Sequence, residues 1–242
     1  MLNKTPLAND NGENTNTEPS NDNPKDSGII ESKNSRHKIQ CLTIIGQIEG
    51  HTVLPPQTKS TKYEHVIPQL VSIEEDNTID GLLILLNTIG GDVEAGLAIA
   101  EMISGMSKPA VSLVLGGGHS IGVPMAVAAE YSFIVPSATM TIHPIRMSGV
   151  VIGTSQTYDY FSRVQERVVS FIASNSKISP DEFNRLVHQT GVIANDVGTI
   201  LFGEEAVSHG IIDEVGSISK ALEKLHKFID ERKSGKAEKL KS

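Results

Sequence analysis

The chain is predicted to be an α/β protein built on a largely parallel sheet, and three observations carry that prediction. Short, β-rich apolar runs alternate with segments of helical period, which calls for parallel strands joined by right-handed crossovers. Glycine turns follow two of the runs. Nearly all of the apolar clusters fall within residues 39–229 of the 242, a block long enough for one substantial core.

The elements follow in order. IQCLTIIG (39–46) and LLILL (82–86) are short, apolar and bounded by turn residues, as buried strands should be. Between them, TKYEHVIPQLVSIEED supplies a helix that carries Pro68. DVEAGLAIAEMISGM (92–106) places apolar residues at 93, 97, 99, 100, 103 and 106, a helical spacing, with Asp92 and Glu94 suited to the positive end of the helix dipole. Pro109 interrupts, AVSLVL (110–115) forms the next strand, and GGGHSIGVPMAVAAE leads into another helix, where Pro124 is tolerable only in the first turn. ATMTIH reads as a strand ended by Pro144. Residues 154–174 form a long amphipathic helix, and Ser179-Pro180-Asp181-Glu182 is a capping box that opens a further one. GEEAVSHG makes a short helix closed by Gly210, and a last helix runs from about 217 to 232.

Charge and composition narrow the function. Lys and Arg total 21 against 29 Asp and Glu, a formal charge of −8, whereas nucleic-acid binding usually leaves a basic footprint. No apolar run approaches the ~20 residues of a membrane helix. The first residues hold no apolar stretch of the signal-peptide type, so a cytoplasmic setting is expected. The single Cys41 excludes a disulfide framework and a cysteine zinc site, and the eight histidines show no zinc-ligand spacing. Neither a metal nor a cofactor is implied. Residues 1–38 contain eight Asn and only six apolar residues, and read as a disordered polar arm. Residues 230–242 read as a charged tail with a frayed helix end.

The chemistry concentrates at two turns. Gly90-Gly91 and Gly116-Gly117-Gly118 both follow strands, at the carboxyl edge where parallel sheets bind ligands. Ser120 sits in Gly118-His119-Ser120-Ile121-Gly122, a GxSxG elbow that exposes a hydroxyl near a helix start. A serine needs a base. His119 is adjacent in sequence and should diverge, while His143 ends a strand at the same edge and is the better choice. The plainer reading is that the glycines only pack tight turns and Ser120 only caps a helix.

From about residue 39 to 218 these motifs resemble the proteolytic subunits of the Clp protease family, and the match runs closest to a branch linked to preprotein export. The resemblance rests on Asn87-Thr88-Ile89-Gly90-Gly91, the Ser120 elbow, Met140-Thr141-Ile142-His143-Pro144, and Glu204-Glu205-Ala206 leading to Gly210-Ile211-Ile212-Asp213. It implies a Clp/crotonase-like fold of repeated β-β-α units with helix 154–174 as a protruding handle. It further implies Ser120 as nucleophile, His143 as base, and the amides of Gly91 and Ile121 as the oxyanion hole, with Gly90 near enough to be confused with Gly91. The third triad member departs from the pattern. An ungapped count from Gly210 lands on Gly198; Asp196 lies two residues earlier, and Asn195 is a further choice.

The implied activity is hydrolysis of peptides or unfolded protein within a homo-oligomeric ring, most simply of seven or fourteen subunits. The apolar residues of the handle, Tyr158, Phe161, Val164, Val168, Val169 and Phe171, contribute to assembly. An ATP-driven unfoldase or the export machinery is the partner class. Docking to an unfoldase does not carry over, because the long polar arm replaces the short axial loops of typical members. Three other readings compete. One is a catalytically weak or inactive export scaffold. Another is a crotonase-type acyl-CoA enzyme, which should show acids near the second glycine turn. The last is an α/β-hydrolase using Ser120, Asp196 and then His209 or His226.

Overall fold

The computed structural model describes residues 29–30, 36–146, 152–191, 193 and 197–239. The main sheet runs in the order β1 (Ile29–Ile30), β2 (Ile39–Glu49), β4 (Gly81–Gly91), β5 (Ala110–Gly118), β6 (Tyr131–Ile134) and β9 (Glu214–Val215). From β2 to β9 the neighbours are parallel. Short β3 (Ser60–Lys62) lies along the end of β2. β7 (Thr139–Ile142) pairs with β5 through Gly117 and, antiparallel, with β8 (Thr199–Phe202). The predicted strand before Pro144 is therefore present, but it belongs to a small second layer that leans over the carboxyl edge.

Burial explains the apolar runs. Leu82, Leu83, Ile84 and Leu86 of β4 are all buried because helices cover both faces of the sheet; each such side chain stabilises the fold by about 1.5–3 kcal/mol. On one face lie α1 (Tyr63–Glu75), α2 (Val93–Ser104), α3 (Gly122–Val127), α4 (Thr154–Ser174) and α5 (Pro180–Val187). The other face packs Leu83, Val111, Leu113 and Phe133 against Ala221, Leu225 and Ile229 of α7 (Ile218–Lys239). Lys224 lies over the Tyr131 ring at 3.8 Å, and Arg232 pairs with Glu130 at 2.9 Å. α7 runs on past residue 232 to Lys239. Pro68 falls inside α1 on its exposed side.

Local signals account for most helix ends. Asp92 caps α2 by accepting from the Ala95 amide at 2.8 Å, and Ser179 caps α5 by accepting from Glu182 at 3.2 Å. Glu205 of α6 (Gly203–Ser208) reaches back to the Phe202 amide at 2.9 Å, so this acid is spent on its own helix. Asp213 accepts from both the amide and the hydroxyl of Ser132, which ties the segment after α6 to β6. The helix expected after the Ser120 elbow is only six residues long, with Pro124 in its first turn.

Candidate active site

Ser120 is the one non-glycine residue with positive φ among the described residues, at 56°. That left-handed conformation costs a residue with a Cβ about 1–2 kcal/mol, and the surrounding bonds enforce it. The Ser120 amide donates to Thr141 O at 2.8 Å, Gly122 donates to His119 O at 2.8 Å, and Val123 donates to Ser120 O at 3.0 Å. The result is a sharp strand-to-helix elbow that directs the side chain into a cavity of about 210 Å³. Gly91, Ile121 and His143 border the same cavity. Four of the five predicted site residues therefore meet; Asp196 and the alternative Asn195 lie outside the described residues.

The bond made by His143 defines its tautomer. Nδ1 is 2.7 Å from the carbonyl oxygen of Pro144, and a carbonyl can only accept, so Nδ1 carries the proton. The basic lone pair is then on Nε2, which is the tautomer a general base requires. No hydrogen bond joins Ser120 to His143 among the described residues. His119 is excluded as the base by a different bond, because its Nδ1 accepts from the Thr141 amide at 3.0 Å. Burial, and then the nearby His143, push its pKa down and keep it neutral. His119 thus fastens the elbow to β7.

The oxyanion candidates separate as well. The Gly90 amide donates to Thr88 Oγ1 at 3.1 Å, so it is occupied. The Asp92 amide is spent on β2, donating to Ile48 O at 3.0 Å, and Gly91 borders the Ser120 cavity. A Cβ on Gly90 would stand 2.7 Å from that of Ser120, so only glycine permits this approach. The Ile121 amide, first after Ser120, donates to no acceptor among the described residues.

Gly198, where the ungapped count places the third member, explains its own identity. Its φ is 135°, and a Cβ there would overlap the Ile142 carbonyl and lie 2.9 Å from His143 Cβ. The main chain itself presses against His143, so a side chain of any kind is shut out.

Sequence reasoning missed the cavity wall. Val168, Ile172 and Gln165 come from α4 and Phe183 from α5, while Val93, Ile142 and Ile145 complete an apolar lining with Arg146 at its border. Gln165 accepts from the Ile145 amide at 2.9 Å, which fixes the segment after His143 against the handle. The amphipathic stripe of helix 154–174 announced a packed face but not what it would pack on. A larger open groove of about 760 Å³ between α2 and α4 is bordered by Glu94, Glu101, Arg163, Glu166 and Arg167 and contains no cavity-facing histidine. The other histidines weighed with Ser120 are elsewhere. His209 contacts Glu182 at 2.9 Å, and His226 contacts His37 at 2.9 Å. The crotonase reading also lacks support, since no carboxylate lines the Ser120 cavity among the described residues.

A serine elbow with positive φ and a histidine protonated on Nδ1 thus border one cavity at the sheet edge together with Gly91 and Ile121. Comparison with known proteins supplies the family. The Clp protease family model matches residues 35–219, and the chain belongs to that family. It is 56% identical over 218 residues to the translocation-enhancing protein TepA of Halalkalibacterium halodurans, covering 86% of this chain and 85% of that protein. It is 29% identical over 163 residues to the ATP-dependent Clp protease proteolytic subunit of Leuconostoc citreum (66% and 78% covered). The corresponding subunit of Lactococcus lactis subsp. cremoris is 27% identical over 158 residues (62% and 74% covered).

Proposed function

We propose that this chain is a cytoplasmic serine endopeptidase of the Clp type that cleaves peptides or unfolded, export-linked proteins and so supports preprotein translocation. The observation that carries the reading is the strained Ser120 facing one cavity with His143, Gly91 and Ile121. In the proposed mechanism, Ser120 Oγ attacks the scissile carbonyl carbon while His143 Nε2 takes its proton. The amides of Gly91 and Ile121 hold the oxyanion of the tetrahedral intermediate. His143 then returns the proton to the leaving amine, and water hydrolyses the acyl-enzyme by the same steps in reverse. The link to export is carried by the name of the TepA relative.

The apolar lining favours a medium-sized apolar side chain before the scissile bond. An ammonium there would be buried unpaired beside Arg146, at a cost of a few kcal/mol, or about a hundredfold in kcat/KM. Unstructured fluorogenic peptides carrying leucine or lysine at that position test this. Leucine peptides should be cleaved about a hundredfold better. No cleavage of any such peptide by folded, assembled protein would favour the scaffold reading, for which the bond from His143 Nδ1 to the neutral Pro144 carbonyl is the supporting observation.

A homo-oligomeric ring belongs to the proposal. Val164, Val168, Val169 and Phe171 of the handle are buried within the same subunit, so they are not available for assembly. Exposed apolar surface instead lies at Ile152, Tyr158 and Tyr160 near the start of α4, and at Ile45 and Leu115 on the α7 side of the sheet. Exposed apolar side chains clustered near one helix start are the kind of surface that an interface covers. Native mass spectrometry should find seven or fourteen times the 26.0 kDa chain; a single 26.0 kDa species at micromolar concentration would remove the ring.

A further inference from the structure

We propose that Thr88 is a positioning residue for the oxyanion site, its hydroxyl setting the spacing between the two glycine turns that present the Gly91 and Ile121 amides. The inference rests on the peptidase reading above and deepens it.

Thr88 is 1% exposed, and both its hydroxyl and its main-chain oxygen are bonded. Its Oγ1 donates to Gly46 O at 2.6 Å and accepts from the Gly90 amide at 3.1 Å. Its main-chain oxygen accepts from the His119 amide at 3.2 Å. Its methyl lies 2.8 Å from where a Cβ of Gly122 would stand. The side chain therefore joins β2, the glycine turn of β4 and the Gly122 flank of the Ser120 elbow, while the main chain of the same residue holds the His119 flank.

The sheet requires such a residue here because its pairing is irregular on both sides. Toward β2, Gly46 is opposite Thr88 but Gln47 is opposite Gly90, which leaves Ile89 as an extra residue. Toward β5, the register jumps from Leu86↔Val114 to Thr88↔Gly118. A bulge takes main-chain groups out of the ladder, and a buried amide or carbonyl left without a partner is destabilising. The Thr88 hydroxyl serves one of each. Asn87 does the matching work on β5, where its Oδ1 accepts from the Gly117 amide at 3.0 Å. With the hydroxyl removed, residues 89–91 lose the bond that holds the bulge, and the direction of the Gly91 amide is no longer enforced.

The test compares wild type with Thr88→Val, which keeps the shape, and Thr88→Ser, which keeps the hydroxyl. Displacement of a transition-state contact by about 1 Å costs up to about a hundredfold in rate. Thr88→Val should accordingly lower kcat by about 10- to 100-fold with KM unchanged, and weaken a peptide boronate, which mimics the tetrahedral oxyanion, by a similar factor. Thr88→Ser should restore most of both. Amide hydrogen exchange at Gly91 and Ile121 should quicken in the valine variant and stay near wild type in the serine one. Wild-type kcat in Thr88→Val, a change confined to KM, or unaltered exchange would each overturn the inference. Should the valine variant not fold, Thr88→Ala gives the same comparison. If wild type shows neither turnover nor a boronate adduct, the peptidase reading falls and exchange alone decides the role of Thr88.

Discussion

Ser120→Ala is expected to lower peptide turnover by about 10⁶-fold, the loss seen when a protease triad loses its nucleophile, without unfolding the chain. Steady-state kinetics together with circular dichroism checks both halves. The same position offers a second, opposite signal. With φ at 56°, Ser120 carries a conformational penalty that glycine would not, so Ser120→Gly should be equally inactive yet more stable. After allowance for the greater entropy glycine loses on folding, the gain should approach about 1 kcal/mol, or about 2–4 °C in Tm for a chain of this size. A serine that costs stability and contributes only to reactivity is what a nucleophile elbow predicts. A residue kept for capping alone would show the reverse, with both substitutions destabilising.

The second large effect concerns the group that orients His143. We propose that Asp196 is that group, so Asp196→Asn is expected to reduce turnover by orders of magnitude, because a carboxylate stabilises the imidazolium formed during attack and an amide does not. Ring mass should be unchanged. Pro144 O already fixes the tautomer of His143, but a neutral carbonyl supplies less stabilisation to a developing charge than a carboxylate does. Kinetics on the Asp196→Asn protein therefore discriminate directly. Unchanged turnover would assign the orienting role to the Pro144 carbonyl or to Asn195 and leave Ser120 and His143 as a dyad.

What could be read from the sequence follows the strength of local patterns. The run LLILL could hardly be anything but a strand buried on both faces, and it is. Ser179 and Gly210 announced helix ends through chemistry confined to three or four residues. Ser179 caps as expected, but the Glu182 side chain pairs with Arg185 and His209 instead of closing the box. Asp92, read as a first-turn acid, is itself the cap. Ser120 and the two glycine turns were readable because each is a glycine-bounded turn of a few residues, and His143 because it closes a short strand just before a proline, whereas Gly91 and Ile121 were singled out only through the family resemblance. Strands β3, β6 and β8 were not, since three or four residues carry too little periodicity to stand out. The antiparallel β7–β8 pair was missed for a related reason. Alternating strands and helices suggest parallel order, and only tertiary packing folds Thr199–Phe202 back beside His143.

The site shows the same division. Its reacting groups are local in sequence, but its shape is not. Helix α4 contributes a wall to the cavity from more than twenty residues beyond His143, and no periodic pattern says which strand end a buried valine will face. The handle makes the point sharply, for most of its apolar stripe turned out to serve the fold and only its first two turns expose tyrosines. Gly198 was legible as a departure from the family pattern, yet its cause, a main chain pressed onto Ile142 and His143, is visible only in three dimensions.

The proposed chemistry depends above all on Ser120 being an activated nucleophile. Treatment of the assembled protein with a fluorophosphonate, followed by peptide mapping in a mass spectrometer, addresses that point without reference to any substrate. The expected outcome is a covalent adduct on Ser120 in wild type, a much slower reaction in His143→Ala, and none in Ser120→Ala. A folded, ring-sized wild-type protein that takes up no label, or takes it up at a residue other than Ser120, would refute the assignment.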